Sequence, residues 1–245
     1  MISFFKNKPL LSDLIPDNHV DIHSHLIPGI DDGAVTIEDS ISLINRMNDI
    51  GFKNIITTPH IITNVWNNTE SAITQKHQEI LKTIHDHTNT KSFTIGVEYM
   101  MDDYFLKRLT TEKLLTLKDN YLLVEMSYLN PPIQLYDIIF EIQLAGYKPI
   151  LAHPERYLFY HQNFKEYHKL KNAGCLFQLN LLSTVDYYGK NVRLVTDKLL
   201  SNQLYDFIGS DIHHQKHIDA FKNKVKVKSL PELEKAIQNN LFFLE

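Results

Sequence analysis

The chain has 245 residues, a formal net charge of −4 and one cysteine, Cys175. That length can bury a full core as one domain, 1–245, and a lone cysteine excludes a disulfide framework and fits a reducing cytoplasm. The balance of charge leaves no electrostatic footprint for nucleic acid, and no apolar run reaches signal-peptide or membrane-spanning length.

In chain order, the first eighteen residues form an extension without an assigned role, and "HVDIHSH" (19–25) then reads as a strand. It ends in two imidazoles, His23 and His25, which a strand points to one face. The turn "LIPGIDDG" follows, with the paired carboxylates Asp31 and Asp32. Of these, Asp32 is the expected ligand, while Asp31 orients a neighbour or caps the turn. Next comes an amphipathic helix, "TIEDSISLINRMNDIG", in which Thr36 and Asp39 have capping-box spacing and Gly51 ends the run. Further strands are expected at "KNIITTPH" (53–60), "FTIGVEYM" (93–100), "YLLVEMS" (121–127), "KPILAHPE" (148–155), "LFQLNLLS" (176–183) and "DFIGSDIH" (206–213). Helical patterns lie between and after them, at about 67–88, 104–118, 132–146, 164–173, 190–203 and 231–240. Near-continuous apolar strands alternating with helices predict a parallel α/β architecture.

Almost every strand ends in a polar side chain: His23 and His25, His60, Glu98, Glu125, His153, Asn180, then Asp211 and His213. An open sheet gathers ligands at one switch point, whereas a barrel gathers them from many strand ends around one mouth. The pattern therefore predicts a barrel with a polynuclear metal site. Carboxylates such as Glu98 and Glu125 inside apolar strands must be paired, protonated or bound to metal. Imidazole and carboxylate ligands without thiolate suit manganese, iron or zinc. Arg156 in "HPER" is the forked donor for phosphate oxygens, with a surface pair to Glu155 as its alternative role. His85 and His87 in "HDH" diverge around a helix axis and read as solvated.

The pieces "DIHSHLIPGIDDG", "TTPH", "GVEY", "LVEMS", "AHPER" and "GSDIH" together resemble the polymerase and histidinol phosphatase (PHP) superfamily. More narrowly, the chain is similar to the metal-dependent bacterial protein-tyrosine phosphatases of capsule and exopolysaccharide systems. The resemblance implies a distorted seven-stranded (β/α)7 TIM-like barrel and three divalent ions, manganese foremost. It implies His23, His25 and Asp211 on the first ion with Glu98 bridging, Glu125 and His153 on the second, and Asp32, His60 and His213 on the third. It implies a phosphotyrosine-bearing tail of a polysaccharide-assembly tyrosine kinase as partner. Family members carry an arginine shortly after the final DxH; "DIHHQKHIDA" has none, so Lys216, His217 or Arg156 alone must serve.

The expected reaction is phosphomonoester hydrolysis by metal-activated hydroxide in the cytoplasm, with Arg156 and the ions stabilising the equatorial oxygens and His213 or Asp211 assisting. A cysteine mechanism is excluded, because Leu181 rather than arginine stands six positions after Cys175. Trp66, Tyr128, Tyr157 and Tyr160 are expected to form an aromatic rim that grips a phenyl ring. A small-molecule phosphatase, such as a histidinol-phosphate phosphatase, and a catalytically silent metal-stabilised module are the rival functions. Oligomerisation is left open.

Overall fold

The computed structural model describes residues 8–244, so residues 1–7 of the N-terminal extension lie outside the described residues. Nine strands carry the architecture: β1 (His19–Asp21), β2 (Phe52–Thr57), β3 (His60–Ile61), β4 (Ser92–Ile95), β5 (Glu98–Met100), β6 (Tyr121–Glu125), β7 (Lys148–Ala152), β8 (Leu176–Asn180) and β9 (Phe207–Gly209). All pair in parallel, in one sheet of order β1-β2-β4 and another of order β3-β5-β6-β7-β8-β9. The α/β parallel architecture expected from the sequence is present.

Two of the seven expected strands are each broken in two. The run 53–60 is interrupted at Thr58-Pro59 and the run 93–100 at Gly96-Val97. Proline has no N–H to offer a ladder, while a side chain at Gly96 would lie 2.9 Å from Leu117 Cδ2. Isolated bonds span the breaks: Gly96 N–H donates to Thr57 O (2.9 Å) and Glu98 N–H to Pro59 O (3.2 Å). The first and last strands also meet. Asp211 N–H donates to His23 O (2.7 Å), and His25 N–H donates to Ile212 O (2.9 Å).

Among the described residues eight helices follow or flank the strands: α1 (Ile37–Ile50), α2 (Glu70–His87), α3 (Phe105–Thr111), α4 (Leu135–Leu144), α5 (Lys165–Asn172), α6 (Lys190–Ser201), α7 (Gln215–Ala220) and α8 (Leu230–Asn239). The capping box of α1 is complete: Thr36 Oγ1 accepts from Asp39 N–H (3.2 Å) and Asp39 accepts from Thr36 N–H (3.0 Å). The short α7 falls where the sequence showed no helical period. Outer faces of the strands and inner faces of the helices share one large apolar core. A smaller core joins Val20, Ile22, Ile56, Leu123, Ile150 and Phe207 from five different strand segments.

The extension is tied down where it is described. Leu11 is fully buried, its N–H donates to Asn223 O (3.0 Å), and Ser12 N–H donates to Phe221 O (3.0 Å).

Candidate metal centre

The C-terminal ends of the parallel strands deliver their side chains to one pocket of about 220 Å³. Its lining includes Asp32, His60, Glu98, Glu125, His153, Arg156, Asp211 and His213, with Ile62, Trp66, Met100 and Tyr128 as its apolar wall. His23 and His25 are fully buried, and the Nε2 of each lies within 3.5 Å of both Glu98 and Asp211. All nine side chains that the sequence nominated as metal ligands therefore converge. They fall into four overlapping groups: His25, Asp32, His60 and His213; His23, His25 and Asp211; His23, Glu98 and His153; His60, Glu98 and Glu125. Glu98 is central, with Oε2 3.1 Å from His23 Nε2 and 3.2 Å from His60 Nδ1, and Oε1 3.0 Å from His153 Nε2. Glu125 Oε1 lies 3.0 Å from His60 Nδ1 and groups with His60 and Glu98, while His153 groups with His23 and Glu98.

The donor set fits divalent cations. His60 Nδ1, Glu98 Oε2 and Glu125 Oε1 are buried without a directed hydrogen bond, a cost that a bound cation removes. Buried imidazoles and carboxylates compensate one another in charge. Burial pushes the Glu98 carboxyl up, but His23 and His60 outweigh it and hold it well below the usual range. Burial likewise opposes ionisation of Asp211, and His23 and His213 overcome it, so that carboxyl is also held well below its ordinary value. His60 would be lowered by burial, yet Glu125 and Glu98 raise it to about 9. A divalent cation competes with these protons for the same lone pairs.

Supporting residues set the orientation of these side chains. His23 Nδ1–H donates to Gln178 Oε1 (2.8 Å), and the Gln178 amide is fixed in turn by donating to Leu179 O. Asp31 fulfils both roles expected of it: it accepts from His25 Nδ1–H (2.8 Å) and from the N–H of Gly33 (3.0 Å). At Gly33 a Cβ would lie 2.1 Å from His25 O, so the turn closes tightly over the first strand. His153 and Asp211 have φ of 35° and 51°, left-handed conformations that non-glycine residues rarely adopt.

Arg156 does not pair with Glu155. Its Nη1 donates to Asp211 Oδ2 (2.6 Å), and its guanidinium lies 4.9 Å from the Tyr128 ring and 4.2 Å from the Tyr188 ring. Glu155 is buried and accepts from Ser183 Oγ–H (2.7 Å), Tyr205 O–H (2.9 Å) and Asn180 N–H (3.0 Å). Asn180 also donates to Asp211 Oδ2 (2.8 Å).

The aromatic rim is smaller than expected. Trp66 and Tyr128 line the pocket, but Tyr157 is fully buried and Tyr160 nearly so. Tyr157 belongs to the core because its hydroxyl accepts the N–H of Met126 (2.9 Å). Neither Lys216 nor His217 lines the pocket. His217 is buried and accepts the N–H of His213 (3.2 Å), so its work is to hold that loop. Gln178 escaped the sequence reading, though an amide inside the apolar "LFQLN" was an available signal; Tyr188 belongs to "DYYGK", one of the aromatic segments that follow the strands, without being singled out there. His85 and His87 are exposed, as expected. Cys175 is buried, and burial pushes its thiol up to about 12, far from a neutral-pH nucleophile.

Comparison with known proteins agrees with this geometry. A tyrosine-protein phosphatase, YwqE, from Bacillus subtilis is 29% identical over 198 residues, covering 80% of this chain and 78% of that protein. A putative tyrosine-protein phosphatase, CapC, from Staphylococcus aureus is 28% identical over 195 residues, covering 79% and 76%. Among solved structures, a chain from the study of YwqE from Bacillus subtilis and CpsB from Streptococcus pneumoniae, metal-dependent tyrosine phosphatases, superposes with a TM-score of 0.77 at 28% identity, covering 88% of this chain and 86% of that one. An amidohydrolase from Mycoplasma synoviae, 12% identical with a TM-score of 0.50, shares the fold alone. The family model for capsular polysaccharide synthesis, CpsB/CapC, matches residues 19–230, and the chain belongs to that family.

Proposed function

We propose that the protein is a metal-dependent tyrosine phosphatase, a phosphoric monoester hydrolase acting on a phosphotyrosine-bearing protein of capsular polysaccharide synthesis. A polysaccharide-assembly tyrosine kinase is the partner this reading names, and the cytoplasm its compartment. The observation that carries it is the convergence of five imidazoles and four carboxylates on a pocket whose wall holds one guanidinium, Arg156. The chain is read as one domain in which the two sheets close into a distorted seven-stranded barrel. The bonds across the strand breaks and between the His23–His25 and Asp211–Ile212 segments support closure.

Three divalent ions, manganese foremost with iron or zinc as alternatives, would be held by His23, His25, Asp32, His60, Glu98, Glu125, His153, Asp211 and His213. When bound, such ions supply a water nucleophile at neutral pH and neutralise phosphoryl oxygens. Arg156 is stacked between two tyrosine rings and anchored by Asp211, so its remaining N–H groups face a phosphate without a rotamer search. Asp211 stays ionised and has no proton to donate. His213 shares that limit: its Nδ1–H is donated to Asp211 O (3.0 Å) and its Nε2 would hold an ion, so the phenolate, a good leaving group, would depart with little general-acid help. Tyr128 and Trp66 give the phenyl ring an apolar seat.

Metal-reconstituted protein should hydrolyse a phosphotyrosine peptide and a generic aryl phosphate, lose both activities in EDTA, and keep them in Cys175→Ser. Turnover of histidinol phosphate in preference to the peptide would replace this reading with a small-molecule phosphatase. Bound metal with no turnover of any of them would replace it with an inactive module.

A further inference from the structure

A second cleft, of about 320 Å³, opens beside the pocket. Asp102, Asp103 and Leu106 form one wall, and Pro132, Ile133 and Ile138 the other. Its lining adjoins that of the catalytic pocket along the chain on both sides. Met100 lines the pocket and Asp102 the cleft, a separation of at most about 7 Å along the chain. Asp102 Oδ2 also accepts the N–H of Thr63 (3.0 Å), next to Ile62 of the pocket wall. On the far side Tyr128 lines the pocket and Pro132 the cleft.

Its chemistry is specific. Ile133 is wholly exposed and Leu129, on the connecting loop, is 81% exposed. Two carboxylates lie opposite these apolar groups, and none of the described lining residues is basic. With two carboxylates and no cation among its described lining residues, the cleft favours a basic segment by charge complementarity.

We propose that this cleft seats the substrate chain beside the phosphotyrosine, and that the segment it takes is extended and carries one basic and one apolar side chain. The inference rests on the phosphatase reading above and names what flanks its reacting residue. An extended chain advances about 3.3 Å per residue, so the basic residue lies near the phosphotyrosine in sequence. Asp103, exposed at the cleft's lip, pairs with it, and Ile133 receives the apolar neighbour.

The test uses metal-loaded protein and three phosphotyrosine peptides, flanked by Lys and Leu, by Glu and Leu, or by alanines, beside a generic aryl phosphate. The Lys-Leu peptide should have the highest kcat/KM, about fivefold above the Glu-Leu peptide at low salt, fading as salt is added. Asp103→Lys should invert that order, and Ile133→Ser should lower kcat/KM for both leucine-bearing peptides. Neither variant should change aryl phosphate hydrolysis. An unchanged peptide order in Asp103→Lys overturns the proposal. So does sedimentation in which Ile133→Ser only dissolves a self-associated form, because a second copy is then the occupant. Fluorescence anisotropy of the same peptides separates the two levels. Binding with these preferences but no hydrolysis keeps the docking surface and removes the phosphatase reading; hydrolysis of aryl phosphate with no peptide preference does the reverse.

Discussion

Asp31 has a fully buried side chain and uses both oxygens on the fold, holding His25 Nδ1–H, the N–H of His60 (3.2 Å) and the N–H of Gly33. Asp32, one residue on, is exposed and lies 3.6 Å from His60 Nε2 and 3.5 Å from His213 Nε2. Replacing each by asparagine should therefore give different phenotypes. Asp32→Asn should lose metal, measured by ICP-MS, with the thermal midpoint of the metal-free protein unchanged. Asp31→Asn should lower that midpoint as well, by about 1–3 kcal/mol of stability, because buried donors lose their acceptor. His19 offers a second residue-scale prediction. It is fully buried with neither ring nitrogen hydrogen-bonded, and burial lowers its pKa to about 4. The unfolded chain, with an ordinary histidine pKa near 6.5, binds more protons between those values. The neutral ring's contribution is thus complete above about pH 6.5 and is lost as pH falls towards 4. His19→Phe should abolish that loss, so variant and parent stabilities should diverge by about 2 kcal/mol between pH 7 and pH 5 in urea titrations.

Among the elements, β8 and β9 are coupled to the centre through Gly209. A Cβ there would lie 2.5 Å from Gln178 Nε2 and 2.6 Å from His23 Cβ, so the glycine makes room for the amide that orients the first imidazole. Gly209→Ala should cost about 1–3 kcal/mol by overpacking and weaken metal binding, read by a chelator competition titration. Thr36→Ala, which removes the capping box of α1, should cost about 1 kcal/mol and leave metal affinity untouched. What could be read in advance at this scale follows from periodicity. The seven strand regions and seven longer helices announce themselves because their apolar residues repeat at the spacing of the element. The breaks at Pro59 and Gly96 and the short α7 depend on tertiary packing that no local pattern encodes. Site residues were legible for a related reason: His60, Glu98 and Glu125 are chemically conspicuous inside apolar strands. Gln178 and Tyr188 act through partners distant in sequence, and Tyr157 resembles a rim residue until its hydroxyl is seen to serve Met126.

The molecule as a whole is held by joins between its beginning and its end. Leu11 is buried against the segment that follows α7, and its N–H pairs with Asn223. Leu11→Ala should cost about 2–5 kcal/mol by leaving a cavity, measured as a shift in the urea midpoint with unchanged aryl phosphate turnover in the folded protein. Loading metal should raise the thermal midpoint, since ligand at a hundredfold its dissociation constant adds about 2.7 kcal/mol per site; an unchanged midpoint on reconstitution would show that the centre does not hold cations. No helix among the described residues is long and apolar enough to cross a membrane. The pairing of the His23–His25 segment with Asp211 and Ile212 also bears on synthesis. A ribosome delivers seven of the nine convergent side chains, His23 through His153, well before Asp211 and His213 emerge. Until they do, the first strand has no partner on that side, and the two groups that include Asp211 or His213 are incomplete. Synthesis thus supplies the proposed centre in two stages, the Glu98-centred groups first and the groups of the closing strand last.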